Sequence, residues 1–212
     1  MTASNPAESQ PPHPNVILEL IKYDRTSATR YDNLEISTLL SKLETDKVNW
    51  INIDGLNNQE VIDKVQEHFG LHALLIDDIV ADQRPKSEEY ESHLFFTMKV
   101  LHRIDGMQID YEQISFVLGA NFLISFQEKE GDLFDGFRDR ILQDVGKVRK
   151  KNADYLLYRL IDINVDSYYT VLDKIGDIID DIEDNNLKEQ YERLLDELLL
   201  WSLNDNDDEE EP

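Results

Sequence analysis

Cysteine is absent from the 212 residues, which excludes disulfides, thiolate metal sites and a cysteine nucleophile. Long apolar runs are absent too: no stretch approaches the roughly 18 apolar residues of a membrane-crossing helix. Residues 1–14, MTASNPAESQPPHP, hold neither a basic end nor an apolar core, so they read as a disordered lead-in rather than a signal peptide. There is no glycine-rich phosphate loop, no EF-hand around Asp105-Gly106, and no histidine of nucleophile type beside Ser115 or Ser125, so no enzyme is expected. Positive charge is scarce. Against 45 Asp and Glu stand 21 Lys and Arg, a formal charge of −24. Such a chain repels nucleic acid and anionic membrane surfaces, and attracts cations, basic partners or water.

What is present reads as an α/β fold. Residues 15–151 alternate strand and helix signals. A first strand runs over Asn15 to Lys22, and polar residues from Tyr23 to Asn33 form a turn or short hairpin. Ser37 is placed to cap a short helix with Leu39, Leu40 and Leu43 inward. Val48 to Ile53 reads as a strand ending at Asp54-Gly55, and Asn57 or Asn58 caps a helix to Phe69 that Gly70 ends. HLFFTMKVLHRI, Ile114 to Leu118 and Asn121 to Phe126 read as strands of an antiparallel meander, the first closed by a hairpin turn at Asp105-Gly106. Asp132 to Val145 is a short amphipathic helix, and Gly146 with the basic run Lys147 to Lys151 forms a junction. The expected architecture is a mixed sheet sandwiched between helices.

Residues 152–203 read as a long acidic helical hairpin. From Asp154 to Asp184, Leu157, Ile161, Asn164, Tyr168, Val171, Ile175, Ile178 and Ile182 recur as a heptad seam with one polar member. Asp162, Asp166, Asp173, Asp177, Asp180 and Asp184 line another stripe, which is either a solvated face or one that something positive neutralises. A second arm, Leu187 to Leu203, folds back after Asn185-Asn186, and residues 204–212 are an acidic, disordered tail.

The segment Leu71 to Glu91 holds the candidate chemistry. Leu71, Leu74, Leu75 and Ile79 form one helical face, with the adjacent acids Asp77 and Asp78 beside it near the helix C-terminus. Negative charge there opposes the helix dipole, so a compensating cation is expected, either Arg84 and Lys86 or a metal. His68 and His72 stand four apart, but Gly70 interrupts them, which favours core or capping roles over a zinc or cobalt site.

Several blocks carry a family resemblance. They are WINIDGL from Trp50, FGLH from Phe69, the acidic pair, QRPK from Gln83, Glu91, EQIS from Glu112, FQEK from Phe126, GDLFD from Gly131 and RKKNADYLLY from Arg149. Their order and spacing from about residue 48 to about residue 184 resemble the cytoplasmic portion of CorA-type magnesium and cobalt transporters. The family's Gly-Met-Asn pore signature and its membrane helices do not occur in this sequence, nor does the long stalk helix that the family's chain continues into. A fragment or a foreign end is therefore expected.

The resemblance implies a regulatory role in the inner-membrane transporter, exercised from the cytoplasm. Asp78 would be the primary regulatory metal ligand, its usual partner an Asp on the stalk helix. Asp77 would serve a secondary site whose partner aligns with Asp162, a residue that is otherwise a plain exposed helix acid. The implied ligand is Mg2+, or Co2+ in its place, bound between copies in a pentamer and holding the funnel closed. Membrane attachment would come only through helices beyond this chain. Without them a monomer or weak associate is expected. Three other readings stand beside this one: the zinc-transporting branch of the superfamily, an acidic soluble interaction module without a pore, and a metal-free domain whose charge serves solubility.

Overall fold

The computed structural model describes residues 16–105, 108–185, 191 and 193–199, with side chains of 102–110 and 181–185 left aside. Seven strands form one mixed sheet. They are β1 (Ile17–Tyr23), β2 (Ala28–Tyr31), β3 (Val48–Asp54), β4 (Lys86–Glu89), β5 (Leu94–Asp105), β6 (Gln108–Leu118) and β7 (Phe122–Gln127). Their order is β2-β1-β3-β7-β6-β5-β4. The β3–β7 pair is parallel and the other pairs are antiparallel.

Because side chains alternate along a strand, each strand feeds two cores. On one face Leu20, Ile51, Ile124, Val117 and Phe95 stand side by side across neighbouring strands. Helices α1 (Ile36–Ser41), α2 (Gln59–Phe69) and α3 (Ala73–Val80) cover that face with Ile36, Leu39, Val61, Ile62, Val65, Leu75, Ile76 and Ile79. The opposite face presents Ile21, Trp50, Leu123 and Phe116 to α4 (Asp135–Leu142) and α5 (Ala153–Asn185), with Phe137, Ile141, Leu156, Leu157 and Leu160 filling the gap. The expected helix-sheet-helix sandwich is what forms.

Details differ from the sequence reading. Helix α1 starts at Ile36 with Glu35 in the cap position rather than Ser37. Helix α4 is shorter than expected because Asp132 is engaged elsewhere, accepting from Phe134 N at 2.8 Å and pairing with Arg138. Strand β6 begins six residues before Ile114, and β4 was not anticipated at all. The seam of α5 lies against β3, β5, β6 and β7, with Leu157, Asn164 and Val171 buried and Ile161 and Tyr168 packed on the second core. Residues 193–199 are helical within the predicted second arm, and Leu194 is buried. The turns at Asp105-Gly106 and Asn185-Asn186, residues 1–14 and the tail 204–212 lie partly or wholly outside the described residues. Among the described residues no helix is long and apolar enough to cross a membrane.

Candidate functional site

The acidic pair is positioned from both ends of α3. Asn58 accepts from Val61 N to start α2, and Gly70 ends it with φ +64, a left-handed conformation that glycine adopts without a Cβ penalty. His72 then caps α3, its Nδ1 accepting from Leu74 N at 3.2 Å, so this histidine caps as the bland reading held. Leu75, Ile76 and Ile79 anchor the helix, whereas Leu74 is 64% exposed and not part of the buried face expected of it. At the far end Gln113 of β6 donates to the carbonyls of Asp78 (2.9 Å) and Ile79 (3.3 Å) and accepts from Gln83 N (2.7 Å). Those contacts satisfy carbonyls that a helix C-terminus leaves open. They also fix where the acids sit.

Asp77 is exposed and has no ion-pair partner among the described residues. Asp78 is half-buried, with Lys86 Nζ 2.8 Å from its Oδ2 and 2.9 Å from Glu88 Oε1. Tyr90 donates to the other Glu88 oxygen at 2.9 Å. Desolvation pulls the Lys86 pKa down, but the hydrogen bonds to Asp78 and Glu88 outweigh it and leave the ammonium above its ordinary value. The side-chain cation foreseen at Lys86 is therefore in place.

Asp162 lies on α5, its Oδ2 accepting from Arg159 Nη1 at 2.8 Å. Helix α3 packs on one face of the sheet and α5 on the other. The sheet thus separates Asp77 and Asp78 from Asp162 within one chain. Among the described residues no three of His, Asp or Glu gather as a metal ion would need. The donor chemistry itself fits Mg2+, which takes oxygen ligands, keeps several waters and uses only one or two carboxylates.

A second acidic cluster escaped the sequence reading. Arg138 is 3% exposed, pairs with Glu19 Oε2 at 2.8 Å and with Asp132, and lies 4.9 Å from the centre of the Trp50 ring. Asp54 sits nearby with Asn52 donating to it at 2.8 Å. Burial first, then the Asp132 charge, pushes Asp54 up to about 6. Burial also raises Glu19, against the pull of Arg138 and Arg30. The cluster is closed by α4 and serves the core.

Comparison with known proteins follows the same lines. The sequence model of the family described as CorA-like Mg2+ transporter protein matches residues 45–202. The cobalt/magnesium transport protein CorA of Thermotoga maritima is 38% identical over 173 residues, covering 81% of this chain and 49% of the relative. The chain therefore spans about half the length of that curated relative (49%). The soluble domain of CorA from Methanocaldococcus jannaschii has the same fold, with TM-score 0.59 and 18% identity over 83% of this chain and 69% of that one. So does the ZntB cytoplasmic domain of Vibrio parahaemolyticus, with TM-score 0.62 and 14% identity over 82% and 68%.

Proposed function

The chain belongs to the CorA-like Mg2+ transporter protein family, and from that premise we propose that it is the cation-sensing portion of an inner-membrane magnesium and cobalt transporter. In this reading Asp78 and Asp77 of one copy and Asp162 of a neighbour contribute ligands to divalent cations held between subunits of a pentamer. The observation that carries it is the placement of the acidic pair and Asp162 on opposite faces of one sheet. Side chains so divided cannot share an ion within a chain, but they can across a boundary where one copy's α3 meets another's α5.

The mechanism is linkage. An ion that binds only the closed assembly stabilises it by mass action. When cytoplasmic Mg2+ falls, carboxylates of neighbouring copies face each other unscreened and the assembly loosens. Lys86 and Arg159, which pair with Asp78 and Asp162 here, hold these acids in the ion-free form and must yield part of their contact when a cation binds. Thermal unfolding with Mg2+, Co2+, Zn2+, Ca2+ and Na+ at matched ionic strength tests this. Stabilisation by Mg2+ or Co2+ that weakens in Asp78→Ala and Asp162→Ala is expected. Equal effects of all ions would reduce the charge to screening and sink the proposal. A response to Zn2+ alone would move the chain to the zinc-transporting branch.

A further inference from the structure

The basic run at the α4–α5 junction plays no part in the reading above. Four of the five residues from Lys147 to Lys151 are cationic in a chain of formal charge −24. Arg149 is buried, and its Nε donates to the Asp24 carbonyl at 3.0 Å, tying the 3-10 turn Val148–Lys150 to the β1–β2 turn. That turn is itself rigid: Asp24 Oδ1 accepts from Thr26 N at 2.6 Å and Ser27 N at 2.7 Å. The tie brings Arg25, Lys150 and Lys151 to one cleft of about 470 Å³, lined also by Asn152, Asp154, Tyr155 and Tyr158. That volume is within the range of small-molecule sites, about 300–1,000 Å³.

Nine of the other cations, Lys22, Arg30, Lys47, Lys64, Lys86, Lys99, Arg138, Arg149 and Arg159, sit in ion pairs. Arg25, Lys150 and Lys151 have no ion-pair partner among the described residues, although acids outnumber bases two to one. Three exposed like charges against one acid repel one another modestly in water, and a bound anion would relieve that repulsion. Helix α5 opens its N-terminal end onto the same cleft; Tyr155 N and Leu156 N donate to the Asn152 carbonyl, and the N–H groups of Ala153 and Asp154 precede any partner within the helix. The Tyr155 and Tyr158 rings, 5.8 Å apart, supply planar surface beside the cations. Asp154 is the one acid in the lining, and it limits affinity for a bare anion.

We propose that this cleft binds a nucleoside polyphosphate, its phosphates on Arg25, Lys150 and Lys151 and its base against the tyrosine rings. The proposal stands independently of the cation site on α3 and α5. Titration calorimetry of the chain with ATP and with inorganic tripolyphosphate, in EDTA and at about 0.15 M salt, tests it. The expected result is ATP binding that falls at least tenfold in Lys150→Gln/Lys151→Gln. Tyr158→Ala should weaken ATP and leave tripolyphosphate unchanged, and Asp154→Asn should tighten both. Lys42→Gln/Lys64→Gln, folded and equally reduced in charge, should bind like the wild type. Absence of binding at millimolar ATP, or equal losses in both double variants, overturns the proposal. So does a cleft variant that alters only self-association, which would assign the cleft to the acidic stripe of another copy.

Discussion

Asp78 illustrates how one side chain decides between two roles. It is a half-buried acid beside Lys86, and any divalent cation must compete with that ammonium. Lys86→Gln should therefore tighten Mg2+ binding severalfold, read as a larger Mg2+-induced rise in melting temperature at matched ionic strength; an unchanged rise would remove Asp78 from the ligand set. Asp54 shows a different balance. Its folded pKa of about 6 lies above its unfolded value near 3.8, so the folded state holds the extra proton between those values. Stability from this group is therefore gained as pH falls through about 6 and is lost at neutral pH. Asp54→Asn should be more stable than the wild type at pH 7.5, by about 1 kcal/mol after allowing for solvent screening, with the difference shrinking toward pH 5. A difference independent of pH would contradict the assignment. This interior cluster was not legible in the sequence. Glu19, Asn52 and Asp54 alternate with apolar residues along β1 and β3, the same pattern that a solvated strand face shows. Only the arrival of Arg138 from α4 reveals the face as buried. Asn164, by contrast, was read at a buried seam and is fully buried, with neither amide atom hydrogen-bonded among the described residues.

At the scale of elements, local signals were informative where a cap or a period dictates structure. Asn58 and Gly70 bound α2 as anticipated, and the acidic pair falls near the end of α3. Strand β4 was invisible because KSEE has little β propensity. It exists as a sheet edge paired with β5, where charged residues also discourage pairing with another chain. Gln113 was noted only as part of a family block, yet it joins β6 to the end of α3 through three hydrogen bonds. Gln113→Leu leaves those backbone groups unpaired at a cost of about 1–3 kcal/mol. Urea unfolding should show that loss together with a reduced stabilisation by Mg2+, since the acids lose their support. A loss of stability with an unchanged ion response would make Gln113 purely structural.

The whole molecule divides its chemistry between two faces. Helix α3 carries Asp77 and Asp78 on one side of the sheet, and α5 carries Asp162 on the other. The sandwich was legible in the sequence because strands and helices alternate with clear periodicity. Which face each helix takes was not, since that depends on crossovers that no local pattern encodes. The division makes one chain insufficient for a shared ion and makes assembly the property to measure. Sedimentation equilibrium over a wide concentration range, with Mg2+ exchanged for Na+ at constant ionic strength, addresses this directly. The account predicts that Mg2+ raises the mean mass at high concentration and that Asp77→Asn and Asp162→Asn each diminish the effect. A mass indifferent to Mg2+ at every concentration, or a rise that both variants retain, would contradict it.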